Sequence, residues 1–201
     1  IQGCVGFKPS VGRVSQQGIV PISWSQDTAG PISNTVADAW IVQKVLERST
    51  NAELPAAHHH AAQLPPAELY PARLGDARIG VFPPGDRVHP ETMELYRSVQ
   101  RLLQGAGAEL VPIESPQLPE IDRAERTVLR YEFPIALERY LSERRPESPY
   151  RSLRDLHRAN VEYADRILAI FGQEIWDRCL PGTAPTKNAY DDARARIEDL
   201  A

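Results

Sequence analysis

Lysine is scarce in this chain, since only Lys8, Lys44 and Lys187 carry an ammonium side chain among 201 residues. A mechanism in which a lysine serves as base for a serine nucleophile therefore has few candidates. Most of the positive charge is arginine, and the formal net charge is -4. Because phosphate binding needs a basic surface, we expect no nucleic-acid partner.

Cysteine is also scarce, with Cys4 and Cys179 far apart in the sequence. Two such thiols are typical of free, buried cysteines in a reducing compartment, which favours a cytoplasmic location over a disulfide-linked fold. No apolar run approaches the ~20 residues that a membrane span needs, so we expect no membrane association.

Three chemical signatures are missing as well. The turn Pro83-Pro84-Gly85-Asp86 lacks the G-x-G-x-x-G spacing of a phosphate loop. Neither His89 nor His157 lies beside a Gly-x-Ser-x-Gly elbow. The consecutive histidines 58–60 would diverge on a helix or strand, so we expect neither a metal site nor a cofactor.

The first 38 residues are dense in Gly, Pro, Ser and charge without helical or strand periodicity, which predicts an ordered loop. Short polar side chains at 33–35 can cap a helix that the apolar spacing continues to about Arg48. Residues 49–76, rich in proline and alanine, are predicted as a surface loop.

The segment 77–115 predicts a βαβ unit. An apolar strand covers residues 78–82, a helix opens at His89, and a second strand covers residues 110–113. Two strands separated by a helix over about 35 residues favour a parallel pair with a crossover connection.

Residues 120–201 are predicted to be helical. One amphipathic stripe runs from Val128 to Leu141, further packed helix lies between Leu153 and Trp176, and a charged helix covers residues 189–200. The carboxylates in this region are expected at the surface; they are Glu132, Glu138, Asp191 and Asp192. Together these signals predict an α/β fold in a single domain, with one βαβ unit followed by a helical region.

One loop offers a candidate for chemistry within the chain itself. Lys8, Ser10 and Ser15 are close in sequence, and a lysine of depressed pKa can activate a serine. A small self-contained Ser–Lys hydrolase is therefore one hypothesis. Lys8 precedes Pro9, however, in a pattern more typical of a structural turn.

Five blocks in order resemble the downstream half of the signature of the amidase signature family, which cleaves C–N amide bonds. The blocks are Gly6-Phe7-Lys8-Pro9, Gly12-Arg13-Val14-Ser15, Gly18-Ile19-Val20-Pro21, Ser25-Gln26-Asp27-Thr28-Ala29-Gly30-Pro31 and Thr35-Val36-Ala37-Asp38-Ala39. Later segments around Tyr131, Tyr140 and Gln173 are similar to the helical region of peptide-amidase-like members.

The resemblance implies a mixed β-sheet flanked by helices and a Ser–Ser–Lys triad, with backbone N–H groups as oxyanion hole. In the family all three triad residues precede the Lys-Pro block, so no catalytic residue is assigned in this chain and Lys8 is not the base. We therefore expect a fragment, lacking the catalytic part before it and further strands after it, which is inactive alone.

The resemblance also implies supporting or substrate-binding roles for Arg13, Tyr131 and the run Ser25, Gln26, Asp27 and Thr28. Buried charges need partners, so we expect an Arg13–carboxylate pair and an Asp27–backbone N–H contact, with turns at Gly12, Gly18 and Gly30. The cluster 131–133 either lines an acyl or peptide pocket or packs as plain helix.

Two classes of function stay open at this point. The complete protein is an amidase acting on a small-molecule or peptide amide, or it is a non-catalytic α/β binding or scaffold protein derived from one.

Overall fold

The computed structural model describes most of the chain, namely residues 3–48, 74–75, 77–85, 88–114 and 118–200. The chain forms two compact units, one made of residues 1–60 and 119–201 and the other of residues 61–118. The single domain expected from the sequence stays a prediction. Most of the predicted loop 49–76, including histidines 58–60, lies outside the described residues.

The N-terminal segment is an ordered loop whose two ends are tied together. Strand β1 (Val5–Gly6) pairs antiparallel with β2 (Ile32–Ser33). The Phe7 N–H extends this ladder by donating to the Pro31 carbonyl at 3.0 Å. The predicted loop is confirmed, and the two-residue strands that close it are a feature that no periodicity signalled.

Helix α1 (Val36–Arg48) follows directly and ends where the sequence predicts. The Thr35 hydroxyl accepts a hydrogen bond from the Asp38 N–H at 3.1 Å and donates to the Asp38 carboxylate at 2.8 Å. This cap satisfies one of the N–H groups that every helix start leaves unpaired.

The second unit contains the predicted βαβ arrangement. Strands β3 (Arg78–Val81) and β4 (Glu109–Pro112) pair in parallel, and α2 (Pro90–Gly105) connects them. The imidazole of His89 caps α2, with Nδ1 accepting from the Glu91 N–H at 3.4 Å. The βαβ prediction is therefore confirmed.

Five helices complete the first unit: α3 (Leu118–Arg144), α4 (Leu153–Glu162), α5 (Ala164–Ile167), α6 (Glu174–Asp177) and α7 (Lys187–Leu200). The packed helix expected between residues 153 and 176 is in fact three short helices. Several of its apolar side chains, such as Phe171 and Ile175, are exposed rather than packed.

Helix α3 supplies two core clusters at different points along its length. Near its start, Ala124 and Val128 pack against Ala193 of α7. Nearer its end, Leu137 and Leu141 pack against Leu153 and Cys179. Helix α3 thus packs against both α4 and α7.

The two cysteines are free, as predicted, but only one is buried. Cys179 is 2% exposed, whereas Cys4 is exposed, so the expected burial of Cys4 is wrong. Burial raises the pKa of the Cys179 thiol, which makes it a poor nucleophile at neutral pH. Among the described helices, none is long and apolar enough to cross a membrane.

Candidate functional site

The centre of the candidate site is the carboxylate of Glu132, which is completely buried on α3. Its Oε2 accepts hydrogen bonds from the Ser23 hydroxyl at 2.6 Å and from the Ser25 N–H at 3.1 Å. Its Oε1 accepts from the Tyr190 hydroxyl of α7 at 2.8 Å. One side chain therefore joins the N-terminal loop, α3 and α7.

The expectation that Glu132 is a surface carboxylate is wrong. Ala124, Val128, Glu132 and Ala136 recur every four residues, and all four are buried. A carboxylate in such a row must be compensated by hydrogen bonds. Within the described part of the chain no Lys or Arg forms an ion pair with Glu132, so the compensation comes from three neutral donors.

Asp27 organises the same loop from within. Its Oδ2 accepts from the N–H groups of Ile22 at 2.8 Å and Ser23 at 2.9 Å. In return the Asp27 N–H donates to the Ser23 carbonyl at 2.8 Å. The predicted contact between Asp27 and backbone N–H groups is confirmed, and it closes a tight turn around Ser23.

Gln16 holds the far side of this turn. Its Nε2 donates to the Trp24 carbonyl at 3.0 Å and to the Asp27 carbonyl at 2.7 Å. Sequence reasoning did not anticipate this role, because a glutamine in a polar loop carries no pattern of its own. The segment 22–28, called the support loop below, is thus held by Asp27, Gln16 and Glu132.

Arg13 finds its predicted carboxylate partner on α1. Its Nε lies 2.9 Å from Glu47 Oε1, and both side chains are less than one-fifth exposed. Partial burial acts to raise the pKa of Glu47, but hydrogen bonds from Gln43 and Arg13 and the charges of Arg13 and Lys44 outweigh it and lower that pKa. This pair fastens the start of the loop to α1.

The three loop glycines serve different needs. Gly12 and Gly18 adopt φ of 86° and 85°, a left-handed conformation that favours glycine. At Gly30 the requirement is space, because a Cβ there would lie 2.0 Å from the Phe7 carbonyl oxygen. Turns are confirmed at Gly12 and Gly18, whereas Gly30 permits the close approach of two backbone segments.

Tyr131 stacks on Tyr190, with ring centroids 4.4 Å apart. Partial burial raises the pKa of the Tyr190 hydroxyl, and its hydrogen bond to the Glu132 carboxylate raises it further. Tyr131 also borders a cavity of about 460 Å³ whose walls include Pro134, Leu153 and Leu180. The predicted acyl or peptide pocket at residues 131–133 stays a prediction.

An open groove of about 580 Å³ separates the N-terminal loop from α3. Ile19, Pro21 and Trp24 line its loop side. Residues Ile135 and Tyr140 line its α3 side. Trp24 belongs to the support loop, so the contacts that fix this loop also fix one wall of the groove.

The predicted site residues are only partly brought together. Ser25, Gln26 and Asp27 belong to one turn, which Thr28 follows directly, and Ser25 joins the turn to Glu132. Tyr131 neighbours this cluster through Tyr190. Arg13 instead pairs with Glu47 of α1.

Sequence reasoning missed the hydrogen bonds made by Ser23, Tyr190 and Glu132. The residues that recur every four positions on α3 were the signal that could have revealed the burial of Glu132.

The arrangement can hold a loop but contains no assembled nucleophile and base among the residues that the structure describes. Lys8 is exposed and forms no hydrogen bond or ion pair with any of them. In the same described ranges no group of His, Cys, Asp and Glu side chains could hold a metal ion. What the described residues show here is a set of hydrogen bonds that hold the N-terminal loop against α3.

The described residues therefore make up an α/β chain that contains a βαβ unit, several packed helices and a Gly/Pro loop held by hydrogen bonds. The Amidase family model matches residues 1–196. This chain belongs to the amidase family, and its fold is a portion of the amidase-signature fold.

Individual relatives agree with this assignment. The solved structure of native peptide amidase from Stenotrophomonas maltophilia is similar, with TM-score 0.83 and 38% identity, covering 98% of this chain and 40% of that one. Mandelamide hydrolase of Pseudomonas putida is 31% identical over 71% of this chain and 25% of its own length. A glutamyl-tRNA(Gln) amidotransferase subunit from Desulfotalea psychrophila is 30% identical over 95% of this chain and 39% of its own length. The chain thus spans a quarter to two-fifths of the length of these relatives (25% to 40%).

Proposed function

We propose that the protein hydrolyses the C–N bond of a carboxamide, and that a peptide amide is the preferred substrate class. The observation that carries this proposal is the 38% identity to a peptide amidase over 98% of the chain. The substrate is a small molecule or a peptide, and nucleic acid is not part of the proposal.

We further propose the Ser–Ser–Lys mechanism that the family resemblance implies. A lysine acts through a bridging serine on a nucleophilic serine, an acyl-enzyme forms as ammonia leaves, and water releases the acid. The 201 residues contain no Ser-Ser or Gly-Gly pair, and Lys8 is exposed. These observations favour a role in which the chain holds the surroundings of the catalytic centre over one in which it supplies the nucleophile and the base.

In this proposal Asp27, Ser25 and Arg13 brace a loop that, by the family resemblance, lies beside the catalytic centre. Gln26, Thr28 and Tyr131 are further candidates, either for contact with the substrate or for packing against residues that surround the catalytic centre. Two carboxylates, Asp27 and Glu132, bind backbone N–H groups of this loop. Such fixed geometry is what a reacting centre needs from its surroundings.

Ammonia release from a C-terminally amidated peptide by the full-length protein tests the activity. A matched peptide with a free carboxylate is the control. We expect release that a serine-directed inhibitor abolishes. Release that persists with the inhibitor would refute the serine mechanism, and no release from any amide would favour a non-catalytic binding protein.

The 201 residues alone are expected to release no ammonia. The same assay on the purified 201-residue chain tests this point. Turnover that the inhibitor abolishes and that Lys8→Ala removes would instead establish a self-contained Ser–Lys hydrolase.

A further inference from the structure

We propose that Glu132 is a positioning residue for amide hydrolysis, because it sets the position of the support loop relative to α3. The inference rests on the proposed amidase function. In this proposal Glu132 affects the reaction by positioning the support loop, and it does not contact the substrate.

The first observation is how the hydrogen bonds are divided between the two carboxylate oxygens. Among the described residues, Oε2 accepts hydrogen bonds from the support loop alone, through the Ser23 hydroxyl at 2.6 Å and the Ser25 N–H at 3.1 Å. Within the same part of the chain, Oε1 accepts a hydrogen bond from α7 alone, through the Tyr190 hydroxyl at 2.8 Å. The contacts to the loop and to the helix can therefore be removed separately.

The second observation is what lies between the two loop contacts. Trp24 stands between Ser23 and Ser25 and lines the groove beside α3. Ala136, one turn after Glu132, lines the same groove. One α3 carboxylate thus fixes both the loop wall and its distance from the helix wall.

The third observation is the cost of keeping a carboxylate there. Glu132 and Ser23 are both completely buried. The loss of water around the Glu132 carboxylate is compensated by hydrogen bonds from neutral donors, among them the Ser23 hydroxyl. A buried charge is expensive, and an apolar residue of similar size fits an ordinary helix packing role at lower cost. The presence of a carboxylate at this position is explained if its hydrogen bonds hold the support loop in the place that amide hydrolysis requires.

The test measures hydrolysis by the full-length protein, with kcat and KM referred to the concentration of sites titrated by a serine-directed inhibitor. Glu132→Ala removes all three contacts, whereas Glu132→Gln keeps an oxygen for the loop and an amide N–H for Tyr190. Tyr190→Phe is the matched control, since it removes only the α7 contact.

We expect Glu132→Ala to lower kcat/KM per titrated site by up to about 100-fold, the scale of a ~1 Å misplacement. Glu132→Gln should retain most of the rate, and Tyr190→Phe, which keeps both loop contacts, should lose less of the rate than Glu132→Ala. Because per-site rates exclude unfolded protein, a merely structural role would leave all of them unchanged. Should Glu132→Ala fail to fold, Ser23→Ala removes one loop contact and should lower the rate in the same direction.

Amide hydrogen exchange gives a second reading that needs no activity. Exchange at residues 22–28 should quicken in Glu132→Ala and should quicken less in Tyr190→Phe, which keeps both loop contacts. The inference would be overturned if Glu132→Ala left either the exchange at residues 22–28 or the per-site rate unchanged. It would also be overturned if Tyr190→Phe lowered the per-site rate as much as Glu132→Ala. A wild-type protein that hydrolyses no amide overturns the proposed function and the catalytic part of this inference, while exchange still decides whether Glu132 holds the loop.

Discussion

The Ser23 hydroxyl donates a 2.6 Å hydrogen bond to Oε2 of Glu132, and 109 positions of sequence separate the two residues. Both side chains are completely buried. The bond ties the N-terminal loop to α3 at a point where neither group can exchange its partner for water. An unpartnered group in such a place costs its full desolvation energy.

Replacing Glu132 should therefore destabilise the protein strongly. Glu132→Ala leaves three donors without their acceptor, and we expect the free energy of unfolding to fall by about 3 kcal/mol. Denaturant unfolding measures this loss. Glu125→Ala, an exposed carboxylate on the same helix, is the control and should change stability by less than about 0.5 kcal/mol. Equal effects of the two substitutions would contradict the buried network.

The Arg13–Glu47 pair should contribute to stability in a pH-dependent way. The pKa of Glu47 is lowered in the folded state, so this contribution is complete above its unfolded value, near pH 4, and is lost as pH falls through the folded value. Arg13→Gln should cost about 1 kcal/mol at neutral pH. Its melting temperature should also fall less steeply than that of wild type on acidification. Parallel curves for the two proteins would count against the pair.

Tyr190 should give the opposite dependence at alkaline pH. Its pKa is raised in the folded state, so its stabilising contribution is complete below the unfolded value, about pH 10, and is lost as pH rises through the folded value. Thermal melts between neutral and strongly alkaline pH measure this. Tyr190→Phe, which cannot ionise at that position, should lose less stability than wild type over the same rise. A steeper alkaline loss in the variant would show that another group controls this range.

Gly30 and Gly6 form a matched pair of substitutions. A Cβ at Gly30 would lie 2.0 Å from the Phe7 backbone oxygen, whereas nothing lies within 4 Å of one at Gly6. Gly30→Ala should therefore destabilise the protein by about 2 kcal/mol or more through backbone displacement. Gly6→Ala should be close to neutral. Comparable melting temperatures for the two variants would contradict the close approach of Gly30 to Phe7.

Local features were the ones that the sequence could predict. The Thr35 cap of α1, the βαβ unit and the turn made by Asp27 depend on residues a few positions apart or on simple periodicity. Each of these is confirmed. The family blocks were equally readable, because they are short contiguous runs.

The helical region shows where such reading stops. Apolar residues between 153 and 176 indicate helix, but periodicity does not reveal what covers an apolar side chain. Ile175 and Phe171 are exposed in this structure, and the segment breaks into three short helices. A polar residue within an apolar row is harder still, as Glu132 demonstrates.

The family, the extent of α1 and the parallel strand pair could all be predicted from the order of residues, because they follow from contiguous motifs and short-range hydrogen bonds. The sequence also required partners for Arg13 and Asp27, since buried charges must be paired. That Glu47 is the partner of Arg13, and that Glu132 binds Ser23 and Tyr190, became visible in the folded chain alone. A buried hydrogen bond depends on which surfaces, distant in sequence, pack together, and no local pattern encodes that choice.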